Sequence, residues 1–214
     1  MRFQQQPDAL ALNHATIWFM SAIAARRMHW TEAEYTAFAN RSPEKHEYLA
    51  GEVFAMAGAN PTHNRVATSV AGSLVALLRG GLCAAFNGDQ RIYIPGAGLY
   101  TYADGGVACG EWQIHTDEMC LVNPVLLLEV LSPSTRDYDL GAKRQHYQQI
   151  VSLRHLLIFD QPERQVWHDR RLPDGLWETA AYSTGSVELA GLGGAISVDE
   201  IYAAALNAQP VNSQ

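Results

Sequence analysis

Residues 122–131 read VNPVLLLEVL, an almost wholly apolar run that carries a single carboxylate, Glu129. Such a run, stopped by Ser132-Pro133-Ser134, has the pattern of a β-strand covered on both faces. Successive side chains of a strand point to opposite faces, so Glu129 must project into one of two apolar layers. A buried carboxylate with no partner costs several kcal/mol. Position 129 therefore calls for a metal, a cation, or a proton retained through a raised pKa. The bland alternative is a strand-end Glu that reaches solvent or a structural Arg. The strand running on to Ser132 weighs against it.

The elements around this strand fall out of local pattern. Thr31 followed by Glu34 is a capping box and predicts a short helix through Tyr35 and Phe38. Residues 48–54 read as a tight hairpin around Gly51. Asn60-Pro61-Thr62 opens a long helix with Val66, Val70, Leu74, Leu77 and Leu78 on one stripe, stopped by Gly80-Gly81. Strands are expected near 82–86, 91–94 and 100–109, then 122–131, a helix over 139–150, and a second buried strand over 153–159. The rest reads as antiparallel, with strands at 164–169 and 176–182 about the turn Pro173-Asp174-Gly175, and a last helix opening near Ser197. This order makes an α/β fold whose mixed central sheet is flanked by helices, with an N-terminal hairpin and C-terminal antiparallel strands added.

Two further residues fit the requirement set by Glu129. Asp104 falls within residues 100–109, otherwise mostly apolar or small. An Asp before Gly105-Gly106 is by itself a turn or bulge signal, but two carboxylates on adjacent strands can share a hard cation such as Mg²⁺ or Mn²⁺. Lys143 stands four residues after Asp139 and four before Tyr147, so the three share a helix face. Its bland account is a surface pair with Asp139, worth a few tenths of a kcal/mol.

Composition narrows the classes. The chain has 214 residues, enough for one domain. Its formal charge of −7 counts against a non-specific nucleic-acid binder but not against a phosphodiester enzyme, where bound metal brings positive charge. Scattered cations (Arg65, Arg91, Arg164, Arg170, Arg171) are what could meet a phosphate backbone. Cys83, Cys109 and Cys120 show no C-x-x-C spacing, which suits buried free thiols and a reducing cytoplasm. The apolar stretch 9–25 falls short of a membrane span and is interrupted by Asn13 and His14. Arg26-Arg27 lie on the wrong flank for export. Residues 1–27 read as a poorly ordered extension or sequence before the true start, residues 28–208 as one domain, and 209–214 as a tail.

Taken together, these residues resemble the Uma2 family (DUF820-type restriction endonucleases), a bacterial branch of the PD-(D/E)XK nuclease superfamily. The resemblance runs from about His29 to Leu206. It rests on HEYLAGEVFAMAG, on His63 at the start of the long helix, and on YADGGVACG. It is strongest in LLLEVLSPSTRDYDLGAKRQHYQQI followed by LRHLLIFD. The resemblance implies a restriction-endonuclease-like core with Asp104 and Glu129 as metal ligands. Leu131 stands where the superfamily usually places its Lys, and Lys143 on the following helix is the replacement. His63 and Glu47 belong to the pattern as supporting residues. Ala103 replaces a Pro, and Gly105-Gly106 replace apolar residues, which predicts a loosened strand at Asp104.

The function implied is Mg²⁺- or Mn²⁺-dependent hydrolysis of DNA phosphodiester bonds, in the cytoplasm, by a homodimer where both strands are cut. Two other classes compete with it. One is a catalytically silent interaction module on the same fold, favoured by the acidic balance. The other is a metal-dependent hydrolase acting on RNA or a small phosphoester, which calls for a narrow pocket.

Overall fold

The computed structural model describes residues 29–56, 58–115 and 119–206. The expected extension over 1–27 and the tail over 209–214 lie outside the described residues. The chain divides at Ala55 into two compact units.

In the N-terminal unit, helix α1 (Glu32–Ala39) opens on the expected capping box, with Thr31 and Glu34 exchanging side-chain and backbone hydrogen bonds. Tyr35 is fully buried, stacks on Tyr48, and donates its hydroxyl to the His46 carbonyl at 2.6 Å. Strands β1 (His46–Leu49) and β2 (Glu52–Ala55) form the predicted hairpin. Ala50 and Gly51 both have positive φ, the type I′ geometry whose twist matches that of the strands.

The larger unit begins with helix α2 (Pro61–Leu77), capped by the Asn60 side chain accepting from the His63 N–H. Strands β3 (Cys83–Asn87), β4 (Arg91–Ile94), β5 (Leu99–Tyr102), β6 (Gly105–Cys109), β7 (Cys120–Leu121) and β8 (Pro124–Val130) follow. A helical segment over residues 136–147, α3, comes next. It joins a short α-helical turn (Arg136–Tyr138), a π-helical turn (Asp139–Lys143) and a further α-helical turn (Arg144–Tyr147). The chain continues through β9 (His155–Asp160), β10 (Gln165–Arg171), β11 (Trp177–Tyr182), β12 (Ser186–Leu189) and β13 (Gly194–Ser197) to helix α4 (Val198–Leu206).

Six strands form one mixed sheet in the order β11-β10-β9-β8-β6-β3, in which β8 and β9 run parallel and the other pairs antiparallel. Beside it, β4 pairs antiparallel with β5 and parallel with β7, and β12 with β13 forms a separate hairpin. Leu126, Leu128 and Val130 of β8 join Leu157 and Phe159 of β9 in a core closed by Val66, Val70 and Leu74 of α2 and by Ile201 and Tyr202 of α4. Each such side chain contributes about 1.5–3 kcal/mol of hydrophobic stabilisation. Period-two alternation then turns Glu129 to the opposite face, where α3 lies.

Four expectations need correction. The strand expected over 100–109 is two strands, β5 and β6, with Asp104 in the break between them. The Asp104 carboxylate reaches the Val130 N–H, and its own N–H donates to the Leu128 carbonyl, so a side chain replaces part of the regular ladder. Helix α3 begins before Asp139 and ends at Tyr147, because Asp139 N–H already bonds back to Thr135. Gly105 and Gly106 do not loosen their strand: β6 is paired on both sides. A Cβ at Gly106 would meet the Leu126 carbonyl oxygen at 2.6 Å and Phe86 Cζ at 2.4 Å, so only glycine fits this close approach. Finally, Cys83 and Cys109 form a disulfide, and only Cys120 is a buried free thiol. The β3–β6 register places positions 83 and 109 directly opposite each other, which spacing alone does not reveal.

Candidate active site

The break after β5 and the end of β8 bring Asp104 and Glu129 side by side. Asp104 Oδ2 accepts the Val130 N–H at 2.7 Å, and Asp104 N–H donates to the Leu128 carbonyl at 3.0 Å. These two bonds straddle Glu129 on the neighbouring strand and set the spacing of the two acids. The other Asp104 oxygen, Oδ1, lies 3.0 Å from His63 Nε2. A carboxylate can only accept, so Nε2 carries the proton of that bond. His63 sits at the third position of α2, on the same buried stripe as Val66, Val70 and Leu74, and its backbone is fixed by the Asn60 cap.

Glu129 is 4% exposed. Its Oε1 accepts the Tyr147 hydroxyl at 2.5 Å and lies 2.9 Å from Lys143 Nζ. Its second oxygen has no hydrogen bond among the described residues. Lys143 Nζ also donates to the Tyr102 carbonyl at 3.0 Å and stands 3.8 Å from Asp139 Oδ1. Lys143 and Asp139 are both buried, so the surface pair of the bland account is instead an interior cluster. Burial pushes the Glu129 carboxyl up to about 8. Lys143 pulls it back, Asp104 and Asp139 push it further up, and the Tyr147 hydroxyl pulls it down.

Of the residues singled out from the sequence, His63 contacts Asp104 and Lys143 contacts Glu129, and the Asp104 bonds to the Leu128 and Val130 backbone bring the two pairs to one stretch of β8. Glu47 belongs to the N-terminal unit, where it is buried on β1. Sequence reasoning assigned no role to Tyr147 or Asp139, although the four-residue spacing of 139, 143 and 147 marks them as neighbours of Lys143. The π-helical turn spanning Asp139–Lys143 has no sequence signature here, and such turns recur at functional sites.

The donor set suits a hard divalent cation supported sparsely by protein. Asp104 is held against the Leu128–Val130 backbone that bears Glu129, whose Oε2 is unbonded among the described residues, while no group of three or more His, Cys, Asp and Glu side chains is gathered for a metal among those residues. Mg²⁺ is commonly held in this way, by one or two carboxylates, with water and substrate phosphate completing its shell. No helix among the described residues is long and apolar enough to cross a membrane.

Comparison with known proteins agrees with this architecture. The Uma2 family model, described as "Putative restriction endonuclease", matches residues 32–198. A Synechocystis sp. protein, "Uncharacterized protein slr1290", is 31% identical over 170 residues, 79% of this chain and 89% of that protein. A second from the same organism, "Uncharacterized protein sll1609", is 31% identical over 148 residues, 69% of this chain and 84% of that protein. The crystal structure of "a putative nuclease belonging to DUF820" from Anabaena variabilis superposes with a TM-score of 0.67 at 16% identity, covering 83% of this chain and 99% of that one. At that identity the superposition speaks for the fold, and the match over residues 32–198 places the chain in the Uma2 family.

Proposed function

We propose that this chain is a metal-dependent endonuclease that hydrolyses DNA phosphodiester bonds, with Asp104 and Glu129 as metal ligands and Lys143 as the assisting cation. The observation that carries the reading is a carboxylate at the β5–β6 break held against the β8 backbone that bears Glu129, with a buried ammonium 2.9 Å from Glu129. A bound Mg²⁺ or Mn²⁺ would polarise a phosphoryl oxygen and lower the pKa of an attacking water.

The chain's own residues prepare for that chemistry. His63 and the Val130 N–H hold the two Asp104 oxygens in one orientation. Hydrogen bonds from neighbours to metal-ligating groups of this kind sustain affinity. Tyr147 and Lys143 hold Oε1 of Glu129, which leaves Oε2 to face a cation. The Tyr102 carbonyl and Glu129 fix the Lys143 ammonium, so its positive charge is set in place before charge develops on the phosphate. The DNA partner comes with the family reading, as does a homodimer for double-strand cutting; a cytoplasmic setting, expected from three free thiols, loses that ground with the Cys83–Cys109 disulfide.

Thermal unfolding in EDTA, Mg²⁺ and Mn²⁺, on wild type and on Glu129→Ala, tests the metal site. A ligand at ~100 times its dissociation constant adds about 2.7 kcal/mol to the folded state. Stabilisation of wild type but not of the variant supports the site, and plasmid cleavage by wild type and Lys143→Ala then tests the chemistry. If neither protein responds to metal, the nuclease mechanism is abandoned and the silent interaction module becomes the better account.

A further inference from the structure

Helix α3 meets Glu129 with a polar face. A helix of a globular protein normally docks through an apolar stripe. Within residues 136–147 the buried side chains are instead Asp139, Lys143 and Tyr147. Lys143 stands on a flexible four-carbon stem and has no planar fork to fix its direction. Where the helix sits therefore decides whether the ammonium meets Glu129, and apolar contact along this face does little to decide it.

The strand registers lay out charges that can. Glu129 is in register with Ile158 of β9, and Ile158 with Trp167 of β10. Asp160 lies two residues beyond Ile158, whereas Asp169, paired with Leu156, lies in the row on the other side of Glu129. Period-two alternation turns all three carboxylates to the α3 face. Each meets one cation of the helix. Arg136 bonds to Asp160, Lys143 stands 2.9 Å from Glu129, and Arg144 grips Asp169 through both Nε and Nη2. The rows of Asp160 and Asp169 are four residues apart along β9, about 13 Å. Arg136 and Arg144 are eight residues apart, about 12 Å of helical rise. The outer cations are thus spaced to match the outer carboxylates, and Lys143 lies between them.

The outer acids are fixed points. Asp160 is 0% and Asp169 1% exposed, against 4% for Glu129. Asp169 also accepts from Thr179 Oγ1 at 2.7 Å and from Gln148 Nε2 at 3.1 Å. Asp160 Oδ2 takes the Arg136 guanidinium, which lies over the Trp167 ring at 5.8 Å, while Asp160 Oδ1 is buried with no hydrogen-bond partner among the described residues. Arg171, one row beyond Asp169, donates to the Gln148 and Ile150 carbonyls and so ties down the end of the helix. A buried carboxylate left without its cation is strongly destabilising, which keeps Arg136 and Arg144 in place.

We infer that Asp160 and Asp169 are positioning residues, which act through Arg136 and Arg144 to hold the Lys143 ammonium over Glu129. Preorganisation of this kind matters because a displacement of about 1 Å can cost 100-fold in rate. The bearing on catalysis rests on the nuclease reading, whereas the placement of Lys143 does not.

The test measures the cost of Lys143→Met in three backgrounds: wild type, Asp169→Asn and Arg136→Gln. Urea unfolding of the full chain is followed in EDTA at pH 9. Where an outer pair is lost, the ammonium no longer sits on Glu129, and removing it should matter less. The rise in unfolding constant caused by Lys143→Met is expected to be at least about 5-fold smaller in both variants than in wild type. Costs that combine independently, to within about 2-fold, overturn the inference. Should Asp169→Asn fail to fold, Arg144→Lys takes its place, since it keeps the charge and loses the fork. Plasmid cleavage in Mg²⁺ separates this inference from the nuclease reading. Cleavage by wild type, about 10-fold slower in Arg136→Gln and intermediate in Arg136→Lys, supports both. Equal rates in wild type and Arg136→Gln overturn the positioning role and leave the nuclease standing. A wild type that does not cleave removes the nuclease reading, and the unfolding comparison then decides the placement of Lys143 by itself.

Discussion

Lys143 Nζ lies 2.9 Å from Glu129 Oε1, and the side chains are 6% and 5% exposed. A buried pair of this kind reveals itself most clearly when one member is removed, because the survivor keeps its desolvation cost. Lys143→Met is expected to destabilise the metal-free protein by about 3–5 kcal/mol at pH 9, where Glu129 is ionised. At pH 6 the carboxyl takes up a proton instead and the loss shrinks. Glu129→Gln/Lys143→Met recovers most of the stability at pH 9. Urea unfolding at the two pH values measures all three effects, and a loss equal at both pH values contradicts the account.

The same carboxyl sets a pH dependence. Its folded value of about 8 lies above the ordinary 4.5 because burial disfavours the charged form. Between those values the folded state holds a proton that the unfolded state has released, so stability falls as pH rises. The contribution is complete below pH 4.5 and gone above about 8. In EDTA, wild type should lose stability relative to Glu129→Gln across this window. Mg²⁺ affinity should rise over the same range, since the cation competes with that proton. Stability curves that run parallel for the two proteins would refute the assignment.

His63 acts on the site through Asp104. Removing its ring in His63→Ala leaves the Val130 N–H on Oδ2 but frees Oδ1 to rotate. Mg²⁺ affinity, read from midpoint shifts during titration, should fall about 10–100-fold with the fold retained. His63→Gln, which keeps a donor, should recover part of it. Unchanged affinity in His63→Ala would remove His63 from the site.

Two glycines of the larger unit should respond oppositely to alanine. At Gly106 the added Cβ collides with the Leu126 carbonyl and Phe86, and overpacking of this kind costs about 1–3 kcal/mol. At Gly72, inside α2, nothing lies within 4 Å of the built Cβ, and the change should stabilise by about 0.5–1 kcal/mol. Differential scanning calorimetry separates the two, and equal shifts of one sign would contradict the packing described for β6.

Local signals carried much of the fold. The capping box at Thr31, the Asn60-Pro61 helix start and the strand over residues 91–94 all appear where pattern places them, since each depends on neighbours a few residues apart. At Asp104 the turn or bulge signal of Asp-Gly-Gly was present, but what it makes was not legible: the break is held by a side chain reaching across to Val130, a residue 26 positions away. The disulfide was hidden for the same kind of reason: only the β3–β6 register sets Cys83 opposite Cys109.

The sequence by itself determined that something must answer Glu129, because an acid in an apolar strand has a desolvation cost wherever that strand is buried. It also placed Asp139, Lys143 and Tyr147 on one helix face through their four-residue spacing. The tertiary structure alone decided that this face packs over Glu129, that Asp139 and Lys143 are buried rather than solvated, and that His63 reaches Asp104. Charge and hydrogen-bonding capacity belong to each residue, but their energetic sign depends on distance and dielectric, and those exist only once the strands are in register.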